Sequence, residues 1–306
     1  MISVIMGAYR EGEKIVRESI ESILNQTYSD FEFIIVLDDP ANQEMREVLD
    51  EYAKRDSRVR VLVNEKNMGL ASSLNRALKA AKGYYIARMD ADDVALEDRL
   101  KNQLEYLTAN DLDLIGGVMN VIDEEGNLSY QISSVPTDKN KILRSLKYGA
   151  VIPHPTWFGK ASLFRKLGGY RKMPYTEDYD FVLRAALEGS HLGNYPKPVL
   201  KYRMTKNSIS RSNLYDQYLY MKYLSKAYQD GKSPSVSEAM RYAESCQDEK
   251  TAGKYSKANT LFNTMLNQME EKQYGGFVGN GFRLLVASPQ FLDKIRRFLM
   301  LSINSR

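Results

Sequence analysis

Cysteine, tryptophan, histidine and long apolar runs are all scarce in this chain. Of its 306 residues, one is cysteine, one is tryptophan and two are histidine. The lone Cys246 excludes an internal disulfide and suits a reducing compartment. His154 and His191 lie in unrelated segments, and no Ser–His or Cys–His set that could activate a nucleophile is evident. No run approaches the ~20 apolar residues needed to cross a bilayer. The opening stretch MISVIMGAYR is apolar but short, with neither a basic leader nor a cleavage site, so it is expected to form a buried strand. A cytoplasmic protein is the expectation. No low-complexity segment is present, and no recognised nucleic-acid motif appears, so nucleic acid is not expected as a partner.

What is present is ordinary globular material, 43% hydrophobic and 27% charged, long enough for one large α/β domain with a helical extension. The net charge of +4 is unevenly distributed. Residues 1–198 hold 26 basic against 30 acidic side chains, and residues 199–306 hold 17 against 9. A basic, helix-prone tail behind an acidic domain points to an anionic surface or to a solvated basic face.

Short apolar runs alternate with helical patterns over the first 120 residues. Residues 2–6, 32–39, 59–64, 84–90 and 114–119 read as strands, and 13–27, 42–55, 70–82 and 96–110 as helices. Such alternation predicts a Rossmann-like, mostly parallel twisted sheet flanked by helices. Ligands of these sheets gather outside the carboxyl ends of the strands, where Asp38, Asp39 and Asp90 are expected to converge. The stretch 120–200 is mixed, and from about 210 the pattern is helical.

Four stretches carry chemistry. DADD, residues 90–93, ends an apolar strand on three acids, which resist burial together unless something positive shares the site. Two carboxylates one residue apart can both reach Mg²⁺ or Mn²⁺, cations that take oxygen ligands together with substrate phosphates. A solvated loop capping the next helix is the competing account. Asp38 and Asp39 end another strand and can accept from a base or from ribose, although DDPAN is also good turn chemistry. Asn67 and Gly69 form a turn before a helix bearing Asn75 and Arg76, whose amides could hold polar ligand atoms. In TEDYDF, Glu177, Asp178 and Asp180 bunch at a helix start, where Asp178 could act as a general base or merely decorate the first turn.

SVIMGAYREGEKIVRESIESILNQTYSDFEFIIV, NEKNMGLASSLNRALKAAKGYYIARMDADD and TEDYDFVLRAA together resemble a family 2 glycosyltransferase of the GT-A fold, over about residues 1–210. The resemblance implies inverting transfer of a sugar from a nucleoside-diphosphate sugar, with a divalent metal, to an acceptor hydroxyl. It implies a GT-A domain over 1–210, divided into a nucleotide-sugar part (1–120) and an acceptor-side part (121–210), with a helical extension over 211–306. DADD matches the family's DxD motif. Asp92 then corresponds to the metal ligand, Asp90 to the ribose- or metal-supporting residue, and Asp178 to the catalytic base. Ala8 and Tyr9 fall where the family wraps the nucleotide base, and Asp38, or Asp39 by exchange, where it contacts it. A histidine that many relatives carry is replaced by Thr205, leaving Arg203, Lys206 or another residue to contact the phosphates. HPTWF resembles an acceptor-side stretch, so Trp157 is a candidate for stacking on a sugar and His154 for a structural role.

The expected donor is a UDP-sugar and the expected acceptor a saccharide or lipid-linked saccharide of surface-polysaccharide synthesis. The alternative is a non-catalytic nucleotide-sugar-binding or scaffolding protein, against which Asp92 and Asp178 weigh. In PQFLDKIRRFLMLSINSR, Phe291, Leu292, Ile295, Phe298, Leu299 and Ile303 recur near helical spacing among Lys294, Arg296 and Arg297. This helix is expected either to lie peripherally on the inner face of the cell membrane or to pack on its neighbours.

Overall fold

The computed structural model describes residues 1–132, 135–204, 213–270, 280, 283–284 and 287–305. The expected alternation is present. β1 (Ile2–Ala8), β2 (Phe31–Leu37), β3 (Val59–Val63) and β4 (Tyr85–Asp90) are separated by α1 (Glu13–Leu24), α2 (Gln43–Arg55) and α3 (Leu70–Ala80). These four strands pair in parallel in the order β3-β2-β1-β4. Their two buried faces explain their near-continuous apolar runs.

Beyond β4 the sheet becomes mixed. β5 (Val94–Ala95), α4 (Arg99–Ala109), β6 (Leu114–Ile122), β7 (Leu128–Ile132), α5 (Lys139–Ser145), β8 (Phe158–Lys160), α6 (Ala161–Lys166), α7 (Glu177–Leu187) and β9 (Leu192–Arg203) follow. In space the order continues β8-β6-β9-β5, with β7 also on β6. β8 runs antiparallel to both β4 and β6, β7 antiparallel to β6 and β5 antiparallel to β9, while β6 and β9 are parallel.

Strand alternation divides the core between the two faces. Ile5, Ile34, Val36 and Ile86 share a cluster with Leu74 and Ala77 of α3 and with Phe181 and Leu183 of α7. Val4, Met6, Phe33, Ile35, Leu37 and Met89 share another with α1, α2 and α4. Each fully buried Ile or Leu contributes roughly 1.5–3 kcal/mol, which fixes both the layers and the register. In that register Ala8 lies beside Leu37 and Gly7 beside Asp90. The strands therefore end level with one another, and Asp38, Asp39 and Asp90 emerge on one edge.

The extension forms α8 (Leu214–Gln229), α9 (Val236–Cys246), α10 (Glu249–Glu270) and α11 (Pro289–Ser305). Tyr215, Tyr218, Leu219, Leu224, Tyr255 and Phe291 belong to the same apolar cluster as Ile142, Leu146 and Tyr179. The extension is thus packed on the α5–α7 side of the sheet domain. No helix among the described residues is long and apolar enough to cross a membrane.

α11 corrects part of the expectation for the tail. Arg297 is buried and donates from Nε to the Tyr148 carbonyl (3.0 Å) and from Nη2 to that of Met221 (3.3 Å). Lys294 lies over the rings of Tyr255 and Phe291, and burial lowers its pKa. Arg296 is paired with Asp293. Phe291 is buried and Ile295 packs on the core, whereas Phe298, Leu299 and Ile303 are exposed. The helix packs along one side, and Lys294 and Arg297 are turned inward rather than toward a lipid surface.

Candidate active site

The site grows from the end of β4. Successive strand residues point to opposite faces, so Arg88 and Asp90 share one. Arg88 is buried and forms a two-pronged ion pair with Asp90. Burial pulls the Arg88 pKa down, but attraction from Asp90, Tyr170 and Asp93 leaves it raised. A second buried cation, Arg99, lies behind it and donates to the Arg88 carbonyl (2.6 Å). Burial, and then repulsion from Arg88, lowers the Arg99 pKa to about 10. These two arginines are what make the acid cluster tolerable.

Among the described residues, Asp90, Asp92 and Asp93 are the acids grouped closely enough to hold an ion, with ligand oxygens within 4.8 Å of one another. They are not equivalent. Asp93 is fully buried, accepts the Arg203 N–H at Oδ1 (2.9 Å), and has no partner for Oδ2. Among the described residues no arginine is ion-paired with the Asp92 carboxylate; burial, then Asp90 and Glu11, push its pKa up to about 7. An all-carboxylate set short of positive charge suits a hard divalent cation such as Mg²⁺ or Mn²⁺. Asp92 would be the principal ligand, with Asp90 in support while it remains bound to Arg88.

The second acid group opens α7. Asp178 is half-buried and accepts the N–H of Tyr179 at Oδ1 (2.7 Å). Burial raises its pKa, opposed by that N–H and by Arg88. Glu177 is raised to about 7 by burial and then by Asp178. Asp180 differs, being fully buried and bound by both Arg171 and Arg184. Thus Asp92, Asp93, Glu177 and Asp178 all feel the charge of Arg88. The two acid groups, some 85 positions apart in the chain, share the field of one buried cation.

The nucleotide-side candidates lie on the same edge. The Ala8 carbonyl accepts the Asp38 N–H (2.8 Å). The Tyr9 N–H donates to Glu11 (2.7 Å), and Arg10 covers the Tyr9 ring. Asp38 is buried, and its carboxylate accepts from Asn64 Nδ2 (2.6 Å) and from the N–H groups of Met68 and Gly69 (2.8 Å each). It therefore moulds the loop that carries Asn67, whose exposed side chain accepts the Gly69 N–H (3.1 Å). Asp39 is the outward acid, paired with Arg10. It borders a cavity of about 470 Å³ with Arg10, Glu11, Gly12 and Asn42.

Several expected contacts are corrected. Trp157 is 0% exposed, donates to the Ile152 carbonyl (3.0 Å) and stacks on Tyr170, so it cannot carry a sugar. His154 is buried against the Tyr170 hydroxyl (2.9 Å), and its pKa is held well below the usual value by burial and Arg88; the structural role holds. Asn75 clamps both backbone groups of Tyr170 (2.7 and 2.8 Å). A side chain at Gly169, where φ is +73°, would come within 2.3 Å of the Asn75 Oδ1. Arg76 donates to the Val63 carbonyl (2.6 Å) and to Asn64 (2.7 Å). Arg203 is also committed: Nε to the Asp92 carbonyl (2.9 Å), Nη1 to the carbonyls of Asp123 and Glu124 (3.3 and 3.0 Å), and Nη2 to Glu18 (2.7 Å). It braces the acid loop and is not available to a phosphate. Thr205 and Lys206 lie outside the described residues.

Neither Arg88 nor Glu11 stands out in the sequence. The signal for Arg88 is its position two residues before Asp90 on one strand face. For Glu11 it is a position in the loop after β1. Glu11 is half-buried, and burial raises its pKa, with Asp90 adding to the shift.

The profile of glycosyl transferase family 2 matches residues 3–168. An uncharacterized glycosyltransferase of Methanocaldococcus jannaschii is 37% identical over 236 residues, covering 76% of this chain and 80% of that one. The O-antigen biosynthesis glycosyltransferase WbnJ of Escherichia coli is 38% identical over 70% of this chain and 84% of that one. Among solved structures, a mannosyltransferase of Pyrobaculum calidifontis in complex with GDP-Man and Mn²⁺ aligns with a TM-score of 0.61 at 17% identity. The alignment covers 99% of this chain and 86% of that chain. S. aureus TarS in complex with UDP gives 0.57 at 18% identity, over 79% of this chain and 69% of that one. At these identities the structures speak for the fold alone, and that fold is GT-A.

Proposed function

The chain belongs to glycosyltransferase family 2, and on that premise we propose a metal-dependent, inverting hexosyltransferase that uses a nucleoside-diphosphate sugar. The observation that carries this is the acid cluster at the end of β4, where Asp90, Asp92 and Asp93 bring ligand oxygens within 4.8 Å of one another, while Asp92 and Asp178 both feel the charge of buried Arg88. One acid group is thereby suited to the diphosphate end of a donor and the other to the hydroxyl that attacks it. Asp92, supported by Asp90, would hold Mg²⁺ or Mn²⁺. When bound, the ion stabilises the negative charge that develops on the departing diphosphate.

Ala8, Tyr9, Asp38, Asp39 and Asn67 line the edge where the base and ribose are placed. Asp38 acts mainly by shaping the 64–69 loop, and Asp39 offers the outward carboxylate. Asp178 takes the proton from the acceptor hydroxyl as that oxygen bonds to the anomeric carbon. The bond from that carbon to the diphosphate breaks on the opposite face, and the nucleoside diphosphate leaves. A carboxylate whose pKa is raised by burial is a better proton acceptor than one in water.

UDP is the proposed nucleotide, in line with the UDP bound to S. aureus TarS. The proposed acceptor is a saccharide or lipid-linked saccharide, in line with the O-antigen role in the name of the Escherichia coli relative. A peripheral membrane contact would rest on Phe298, Leu299 and Ile303. A thermal-shift screen of nucleotide-sugars with and without Mn²⁺ tests the donor reading. A UDP-sugar should raise Tm in the presence of Mn²⁺ and do so less without it. No shift with any nucleotide-sugar overturns the reading. Stabilisation without hydrolysis or transfer favours the non-catalytic alternative.

A further inference from the structure

We propose that Tyr175 is the aromatic platform on which the acceptor sugar packs, an inference that rests on the glycosyltransferase reading above. With Trp157 enclosed in the core, the acceptor side needs another apolar surface for the C–H face of a pyranose ring. Four large aromatic side chains are well exposed among the described residues: Tyr84, Tyr130, Tyr175 and Phe298. Tyr84 precedes β4 at the edge away from Asp90, Tyr130 lies on β7, and Phe298 lies on α11. Tyr175, at 37% exposure, stands three positions before Asp178.

Its backbone is the second observation. Tyr175 has φ +59°, the left-handed region that a bulky L-residue avoids unless the surroundings impose it. The imposition is visible on both sides. Gln217 of α8 donates from Nε2 to the Tyr175 carbonyl (3.2 Å). Thr176, buried, gives its carbonyl to the Asp180 N–H (2.9 Å) in the first turn of α7. The Tyr220 ring, also from α8, stands 6.3 Å from that of Tyr175. The extension thus holds an exposed aromatic residue, three positions before the proposed base, in a conformation that glycine would adopt more readily. Aromatic faces lining a cleft beside a few polar groups are a usual way to orient a ligand.

Saturation-transfer NMR with the methyl glycosides of glucose, galactose, mannose and N-acetylglucosamine tests this, run with and without UDP and Mn²⁺. The wild-type protein should transfer saturation to at least one glycoside. Tyr175→Gly should reduce that transfer by about fivefold or more, with Tm unchanged or raised because glycine relieves the left-handed φ. Tyr175→Phe should keep at least half of the signal. Undiminished transfer in Tyr175→Gly overturns the proposal. So does a loss of Tm in that variant that accounts for the lost signal, and so does the absence of transfer to all four glycosides in the wild type. The nucleotide-sugar screen involves no acceptor and continues to judge the glycosyltransferase reading separately.

Discussion

The acid group at the end of β4 and the acid group at the start of α7 are built alike and differ in how they are neutralised. Each has one member bound directly to arginine: Asp90 by Arg88, and Asp180 by Arg171 and Arg184. Each has members left without such a bond, Asp92 in the first and Glu177 and Asp178 in the second, and those have raised pKa values. At β4 Arg88 serves one bound acid, and four others feel its charge. At α7 two arginines are spent on Asp180 alone, which is buried deeper than its neighbours. Asp180, doubly compensated and fully buried, is structural, whereas Asp92, Glu177 and Asp178, without such a bond, are suited to meet a ligand's charge or a proton.

That contrast can be broken at its sharpest points. Asp92→Asn should have the largest effect, abolishing transfer and weakening Mn²⁺-dependent donor binding while the far-ultraviolet circular dichroism stays native. Near wild-type turnover with Mg²⁺ or Mn²⁺ would remove Asp92 from the metal. Asp178→Asn comes next, with transfer down roughly 10²–10⁴-fold and donor affinity retained. Its pH dependence has a defined sign. The base must be ionised, so wild-type kcat/KM should fall as pH drops through the raised Asp178 pKa, and the residual rate of the variant should lack that limb.

Glu177→Gln should be the mildest in turnover and the most informative in stability. Glu177 titrates at about 7 in the folded chain against 4.5 as an ordinary side chain. A carboxyl raised on folding binds its proton more tightly in the native state. Its favourable contribution is therefore complete below pH 4.5 and lost as pH rises through about 7. The variant should be more stable than wild type at pH 8, by ~1–3 kcal/mol, and the gap should close in acid. Chemical denaturation at the two pH values measures it; an equal gap at both would detach Glu177 from the comparison.

Strand ends, helix spans and both acid groups were legible from the sequence because each depends on local spacing. Apolar runs such as FEFIIVL can only be buried, and acids that interrupt them must emerge at a strand end. What lies across from a residue is not encoded locally. Arg88 reads as a polar interruption in YYIARMD until the fold brings Glu177 and Asp178 within reach of its charge. Trp157, Asn75, Arg76 and Arg203 carry groups that would suit a ligand, yet each spends them on the protein's own backbone or side chains. In the tail, helical spacing was readable, but which side of α11 faces the domain was not. That choice turned Lys294 and Arg297 inward.

Arg203 has a consequence for the order in which the chain can become active. Its backbone N–H and guanidinium tie the acid loop at Asp92 and Asp93 to Glu18 and to the turn at 123–124, across separations of up to 185 positions. During synthesis the parallel strands β1–β4 can pair long before residue 203 leaves the ribosome, since amino-terminal units fold first. Until then the loop lacks the donor for Asp93 and the brace on the Asp92 carbonyl, and closing contacts of such long range is slow. The stretch matched by the family profile ends at residue 168, so a nascent chain of that length would own the acids without the residue that sets them. The edge that carries the acids is completed by Arg203 at the end of β9, the last strand in chain order among the described residues.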